Sequence, residues 1–158
     1  MSRFVSIAVA ATLALLPLPA LAGASEDAFL ARLVGVWTGK GVLTGGETGE
    51  IDCKATVRNR SDGINFTVTC DVPEFGAQRF SGAVSYNDAA GRYEALSPTG
   101  ELTIGTKSGN AVIFNAKMKG VAEGTSVMKL TTTRIVVDTN VKRPGKDAEI
   151  KSHLELKK

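Results

Sequence analysis

Cys53 and Cys70 constrain this chain more than any other pair, because each lies in a segment whose apolar residues recur at every second position. Around Cys53 the sequence I-D-C-K-A-T-V-R puts Ile51, Cys53, Ala55 and Val57 on one face of a strand. Asp52, Lys54, Thr56 and Arg58 fall on the other. Around Cys70, Ile64, Phe66, Val68, Cys70 and Val72 alternate in the same way. Period two is the mark of a strand with one buried face. Arg60-Ser61-Asp62-Gly63 between them is turn chemistry, with Gly63 free to take a positive φ at the end of a four-residue loop. Pairing Val57 with Phe66, Ala55 with Val68 and Ile51 with Val72 sets every apolar residue against another, and it brings Cys53 opposite Cys70. Directly opposed strand residues have Cα atoms about 4.5 to 5.5 Å apart, within the reach of a disulfide. The expected bridge pins the hairpin and, closing a short loop, contributes roughly 3 kcal/mol or less. A redox-active pair is disfavoured, since the chain has no C-x-x-C and no nearby cation arranged to depress a thiol.

Similar short alternating segments continue to the C-terminus. "RFSGAVSYN" (79–87) turns through "DAAGR" into "YEAL", and "ELTIGT" turns through "KSGN" into "AVIFNAKM". "TSVMKLTTT", "RIVVDTNV" and "EIKSHLELKK" follow. With the cysteine strands and the one before them, nine or ten strands are expected. Only "SEDAFLARLVG" has a helical pattern, with Ser25 placed to cap it and Phe29, Leu30 and Leu33 on one face. Hairpin-length loops without crossover helices predict an all-β, antiparallel up-and-down meander. Closure removes exposed edges, so the expected fold is a barrel of about 8–10 strands with the short N-terminal helix capping one end.

The barrel domain is assigned to residues 23–158. Residues 1–22 read as a secretory signal peptide: Arg3, then an apolar run, then the small-x-small triplet Ala20-Leu21-Ala22. A membrane anchor is the alternative, but Pro17 and Pro19 interrupt its last turns. A periplasmic or secreted location follows, with no membrane span after cleavage. It agrees with two cysteines spent on one disulfide. The charge balance, 19 Lys and Arg against 16 Asp and Glu, is near neutral and scattered apart from "KRPGK" (142–146) and Lys157-Lys158. Nucleic-acid partners are therefore not expected.

"GVWTGKG" (35–41) raises the one question of nucleotide chemistry. A phosphate-binding Walker loop needs four residues between its glycines and a hydroxyl after the lysine; here three separate Gly35 from Gly39, and Gly41 stands in place of the hydroxyl. The preceding helix and the strand pattern that follows also reverse the order such a loop requires. A helix running into G-x-W resembles the entry of the lipocalin and related calycin barrels. The longer "GVWTGKGVLTGG" is similar to the G-x-W-x-G-x-G motif of nitrobindin-like haem-binding barrels and small exported bacterial relatives. The resemblance implies that the helix plugs one barrel end and that Trp37 packs across the floor, often beneath an arginine from a late strand. Arg134 is the candidate for that partner, or else an ordinary exposed strand arginine. The glycines would let the first strand bend as the barrel closes.

Nitrobindin-like proteins hold haem iron through a histidine near the C-terminus, and the only histidine is His153. Period two places it with Lys151, Glu155 and Lys157, against Ile150, Ser152, Leu154 and Leu156, so the solvent face is expected and haem is the weaker expectation. No G-x-S-x-G elbow accompanies it, and one histidine with two bridged cysteines cannot supply a zinc site. Glu47, Glu50 and Asp52 read as solvated. Asn59-Arg60-Ser61 and Asn65-Phe66-Thr67 match the glycosylation sequon, a three-residue pattern of low specificity that depends on the host. Neither a catalytic constellation nor a metal site is therefore expected. Trp37, Phe66, Phe80, Tyr86 and Phe114 are the inward aromatic candidates, together with Arg134, for binding a small apolar or amphipathic molecule without catalysis. The bland reading is that these aromatics simply fill a solid core. In that case the chain would be an envelope interaction protein or enzyme inhibitor, acting through loops such as "PEFGAQ" (73–78) and "KRPGKD" (142–147).

Overall fold

The computed structural model describes residues 22–46, 48–73, 76–118, 123–142, 145 and 149–158. The expected signal segment lies outside them except for Ala22, as do Glu47 and parts of the 73–78 and 142–147 loops. One helix, α1 (Ala22–Leu33), precedes ten strands: β1 (Gly35–Gly45), β2 (Gly49–Arg60), β3 (Gly63–Val72), β4 (Gly76–Asn87) and β5 (Arg92–Leu96). β6 (Leu102–Ser108), β7 (Ala111–Met118), β8 (Glu123–Leu130), β9 (Arg134–Lys142) and β10 (Glu149–Lys157) complete them. Every strand pairs antiparallel with its neighbour in sequence, and β10 returns to β1, so the sheet is a closed barrel. Among the described residues no helix is long and apolar enough to cross a membrane.

The cysteine hairpin has the expected register: Val57 opposes Phe66, Ala55 opposes Val68, and Cys53 opposes Cys70. The sulfurs are bonded and the Cα atoms are 4.1 Å apart, closer than the expected spacing. The connection is tighter than expected. Arg60 already pairs with Gly63, leaving a two-residue turn, and Gly63 takes φ +143°. Arg60 also clasps the turn through hydrogen bonds of 2.5 and 2.7 Å to the Asp62 carboxylate.

Closure depends on glycines in β1. A Cβ placed on Gly39 would come within 1.9 Å of the Glu155 carbonyl oxygen, and one on Gly41 within 2.4 Å of that of His153. The missing side chains let β10 cross β1 at a distance no other residue allows. This is why the motif carries glycine at its inward positions, while Lys40 points outward to Glu50 and Asp52 at 3.7 and 3.6 Å.

The helix begins at Ala22, so Ser25 is not its cap; it lies inside the first turn and donates to the Glu26 carboxylate at 3.1 Å. Leu30 and Leu33 are almost wholly buried, and Phe29 packs beside them against the core. Burying two leucines is worth about 1.5–3 kcal/mol each, enough to hold a short helix that propensity alone would not.

Candidate functional site

Alternation continues around the barrel, so each strand's inward residues follow from register. They include Trp37, Ala55, Phe66 and Val68, then Val84, Tyr93 and Phe114, and finally Met128, Val137 and Leu154. These fall into two zones: a floor packed against α1, and an apolar cavity above it.

The floor is aromatic. Trp37 is fully buried, and its Nε1 donates a 2.8 Å hydrogen bond to the Leu33 carbonyl oxygen. Tyr93 meets Phe29 and Tyr86 edge to face, with centroids 5.8 and 5.1 Å apart. Phe114 lies directly opposite Gly105, where an added Cβ would sit 2.5 Å from its ring. The cation over Trp37 is not Arg134. Lys158 Nζ lies 5.0 Å from the ring centroid and donates to the Arg32 carbonyl oxygen at 2.5 Å. Arg134 sits on the outer parity of β9 and pairs with Glu155 at 3.2 Å. Its register partner, Lys157, is outward too, so the guanidinium cannot reach the floor.

Among the described residues one charged group is buried, in the floor, and sequence reasoning missed it. Glu26, on the apolar face of α1, accepts hydrogen bonds from the Tyr93 hydroxyl and Lys107 Nζ. Burial works to raise its carboxyl, but the Lys107 and Tyr93 hydrogen bonds outweigh it and hold the group below the ordinary carboxylate range. Burial, and then the Glu26 carboxylate, push the Tyr93 phenol upward. The available signal was a carboxylate three to four residues ahead of Phe29 and Leu30, on the face that Leu33 continues. These three groups satisfy one another, and none of them lines the cavity above.

That cavity measures about 60 Å3 and is lined only by apolar side chains, among them Leu33, Phe66, Val68, Met128, Val137 and Leu154. Of the aromatic candidates only Phe66 borders it. Trp37, Tyr86 and Phe114 belong to the floor or its surroundings. Phe80 is inward by register, opposite Val68, yet it is 57% exposed because β5 does not extend alongside it.

His153 lies on the outer face, as alternation requires, with Nδ1 2.6 Å from the Asp138 carboxylate. The residues do not fit a haem inside the barrel. The only imidazole points away from the interior, and the apolar cavity falls several-fold short of the roughly 300 Å3 at which ligand pockets begin. Among the described residues no cluster of three or more potential metal ligands occurs.

No family model matches the sequence, and no curated protein matches it. Solved structures do match. The S-type phycobiliprotein lyase CPES from Guillardia theta is 12% identical, with a TM-score of 0.60 over 83% of this chain and 90% of that one. Rv2717c from M. tuberculosis is also 12% identical, with a TM-score of 0.58 over 88% of this chain and 98% of that one. At such identity the likeness is one of fold. The closed ten-stranded antiparallel barrel, entered through a helix and a G-x-W strand, is a fold it shares with these structures, as the resemblance to calycin-type barrels implies.

Proposed function

We propose that the chain is an exported, non-enzymatic binding protein that holds a small apolar or amphipathic molecule in the barrel interior. The observation that carries this reading is the state of the cavity lining. Phe66, Val68, Met128 and Val137 point inward and border the cavity, yet each stays partly exposed to solvent. Covering such surface is favourable by about 25 cal/mol per Å2. The volume limits what enters: about 60 Å3 is several-fold below the size of a pocket for a whole ligand, so it takes only part of one. The cargo therefore inserts an apolar end. Its remainder lies higher in the barrel, among the small inward residues Ser126, Thr139 and Ser152.

The non-catalytic part of the reading is supported by the floor chemistry, where Glu26, Tyr93 and Lys107 are occupied with one another. One structural neighbour bears the name of a lyase, and that name describes the neighbour. Export is supported by the disulfide, which suits an oxidising compartment, and by the N-terminal segment. A filled barrel presenting its loops to a partner is the second reading, favoured by the small cavity.

Native mass spectrometry of protein purified from its own compartment, paired with calorimetric titration of dodecanoate, separates the two. A reproducible bound mass, and heat that is lost in Val137→Trp, support the interior site. An empty barrel with no heat from either protein leaves the interaction reading.

A further inference from the structure

We propose that the barrel is loaded through a gap in its wall between β4 and β7, where β5 and β6 fall short. The nature of the cargo rests on the interior-binding reading above; the gap itself rests on strand pairing. Among the described residues, β4 pairs with β5 only over 83–87, so residues 76–82 have a partner strand on the β3 side alone. β6 pairs with β7 only over 105–108. Residues 102–104 bond to β5 but leave β7, and residues 115–118 bond to β8 but not to β6. The short β5–β6 hairpin thus leaves the wall incomplete between two longer strands.

Exposure follows the gap. Along one row of directly opposed residues, Trp37 is 0% exposed, Ala55 2%, Val68 partly exposed and Phe80 57%. Val68 lines the cavity, and Phe80 beside it meets solvent where the next strand is missing. On the β1–β2 wall, by contrast, the inward Leu43 and Ile51 are only 8% and 6% exposed. The exposed inward aromatic therefore lies on the β4 side, where the next strand is short. The outer surface by the gap is apolar as well. Leu96 faces Leu102 across the hairpin, and Ile104 follows, at 46, 51 and 40% exposed. With Phe80 they make four of the seven exposed large apolar side chains among the described residues, so these exposures concentrate at the gap. The side chains named between this outer patch and the cavity, Leu96, Leu102, Phe80 and Val68, are all apolar.

The test needs no ligand. Val137→Cys places a thiol in the cavity lining on β9, with β10 and β1 between it and the disulfide-bearing β2, and its labelling by N-ethylmaleimide reports entry. Entry through a standing gap is independent of urea well below the unfolding midpoint, whereas labelling through global unfolding follows the full denaturant slope. Adding Phe80→Ala should speed labelling about threefold or more, and Phe80→Trp should slow it by a similar factor, while Leu43→Ala should leave the urea-independent rate within about twofold. Acceleration by Leu43→Ala but not by Phe80→Ala, or labelling that occurs only through unfolding, overturns the proposal. Stopped-flow mixing with dodecanoate then tests the cargo separately. Association rates that follow the Phe80 variants support both readings. Absent binding alongside Phe80-dependent labelling keeps the gap and removes the apolar-chain cargo.

Discussion

Trp37 Nε1 donates to the carbonyl oxygen of Leu33 at 2.8 Å, so the first strand of the barrel is tied to the last turn of the helix that plugs it. The bond satisfies a helix-terminal carbonyl that has no intrahelical partner, and it does so from a fully buried indole. Helix, turn and strand entry thereby become one unit.

Trp37→Phe keeps most of the aromatic bulk and strands that carbonyl in the floor. A loss of about 1–3 kcal/mol is expected, read as a lower urea midpoint with an unchanged denaturant slope. A midpoint equal to wild type would show that the bond contributes nothing to stability.

Replacing both Cys53 and Cys70 with alanine opens the bridge between β2 and β3 while keeping the apolar register. The loop it closes is short, so destabilisation should be about 3 kcal/mol, with the barrel still formed by circular dichroism. Loss of all strand signal would mean that the bridge directs folding, beyond pinning one hairpin.

Stability should decline in acid through Glu26. Its folded carboxyl is held below the unfolded value, so its contribution is present above about pH 4.3 and is lost as pH falls through the lower folded value. Thermal unfolding scanned across that window should show a steeper fall for wild type than for Glu26→Gln. Parallel curves for the two proteins would assign acid sensitivity to other carboxylates.

Gly105→Ala should destabilise by about 1–3 kcal/mol through overpacking. Its added methyl would lie 2.5 Å from the Phe114 ring and 2.9 Å from the Tyr93 Cβ. The companion Gly105→Ala, Phe114→Leu protein should recover part of the loss in chemical denaturation. No recovery would place the strain in the backbone.

Hemin added to wild type and to His153→Ala should give the same Soret spectrum, because His153 projects from the outer wall beside Asp138. A band present only in wild type would require iron bound on the outside of the barrel.

The sequence by itself determined the local architecture. Alternation over 51–57 and 64–72 specified which residues face inward, and the cysteines selected one register among those that alternation permits, because a two-residue slip would part the sulfurs. The spacing in "GVWTGKG" ruled out a phosphate loop, and the same glycines prove to be the points where β10 crosses β1. What only the tertiary structure decided depends on strands far apart in the chain. Period two assigns Phe80 and Phe114 to the same face, yet one is 57% exposed and the other 2%. The difference is set by whether a neighbouring strand extends alongside, and strand length in β5 and β6 is a property of the whole sheet. The Glu26, Tyr93 and Lys107 cluster joins residues 67 and 81 positions apart, and Lys158 rather than Arg134 covers Trp37. Such meetings arise from barrel closure, a long-range event that local periodicity does not encode.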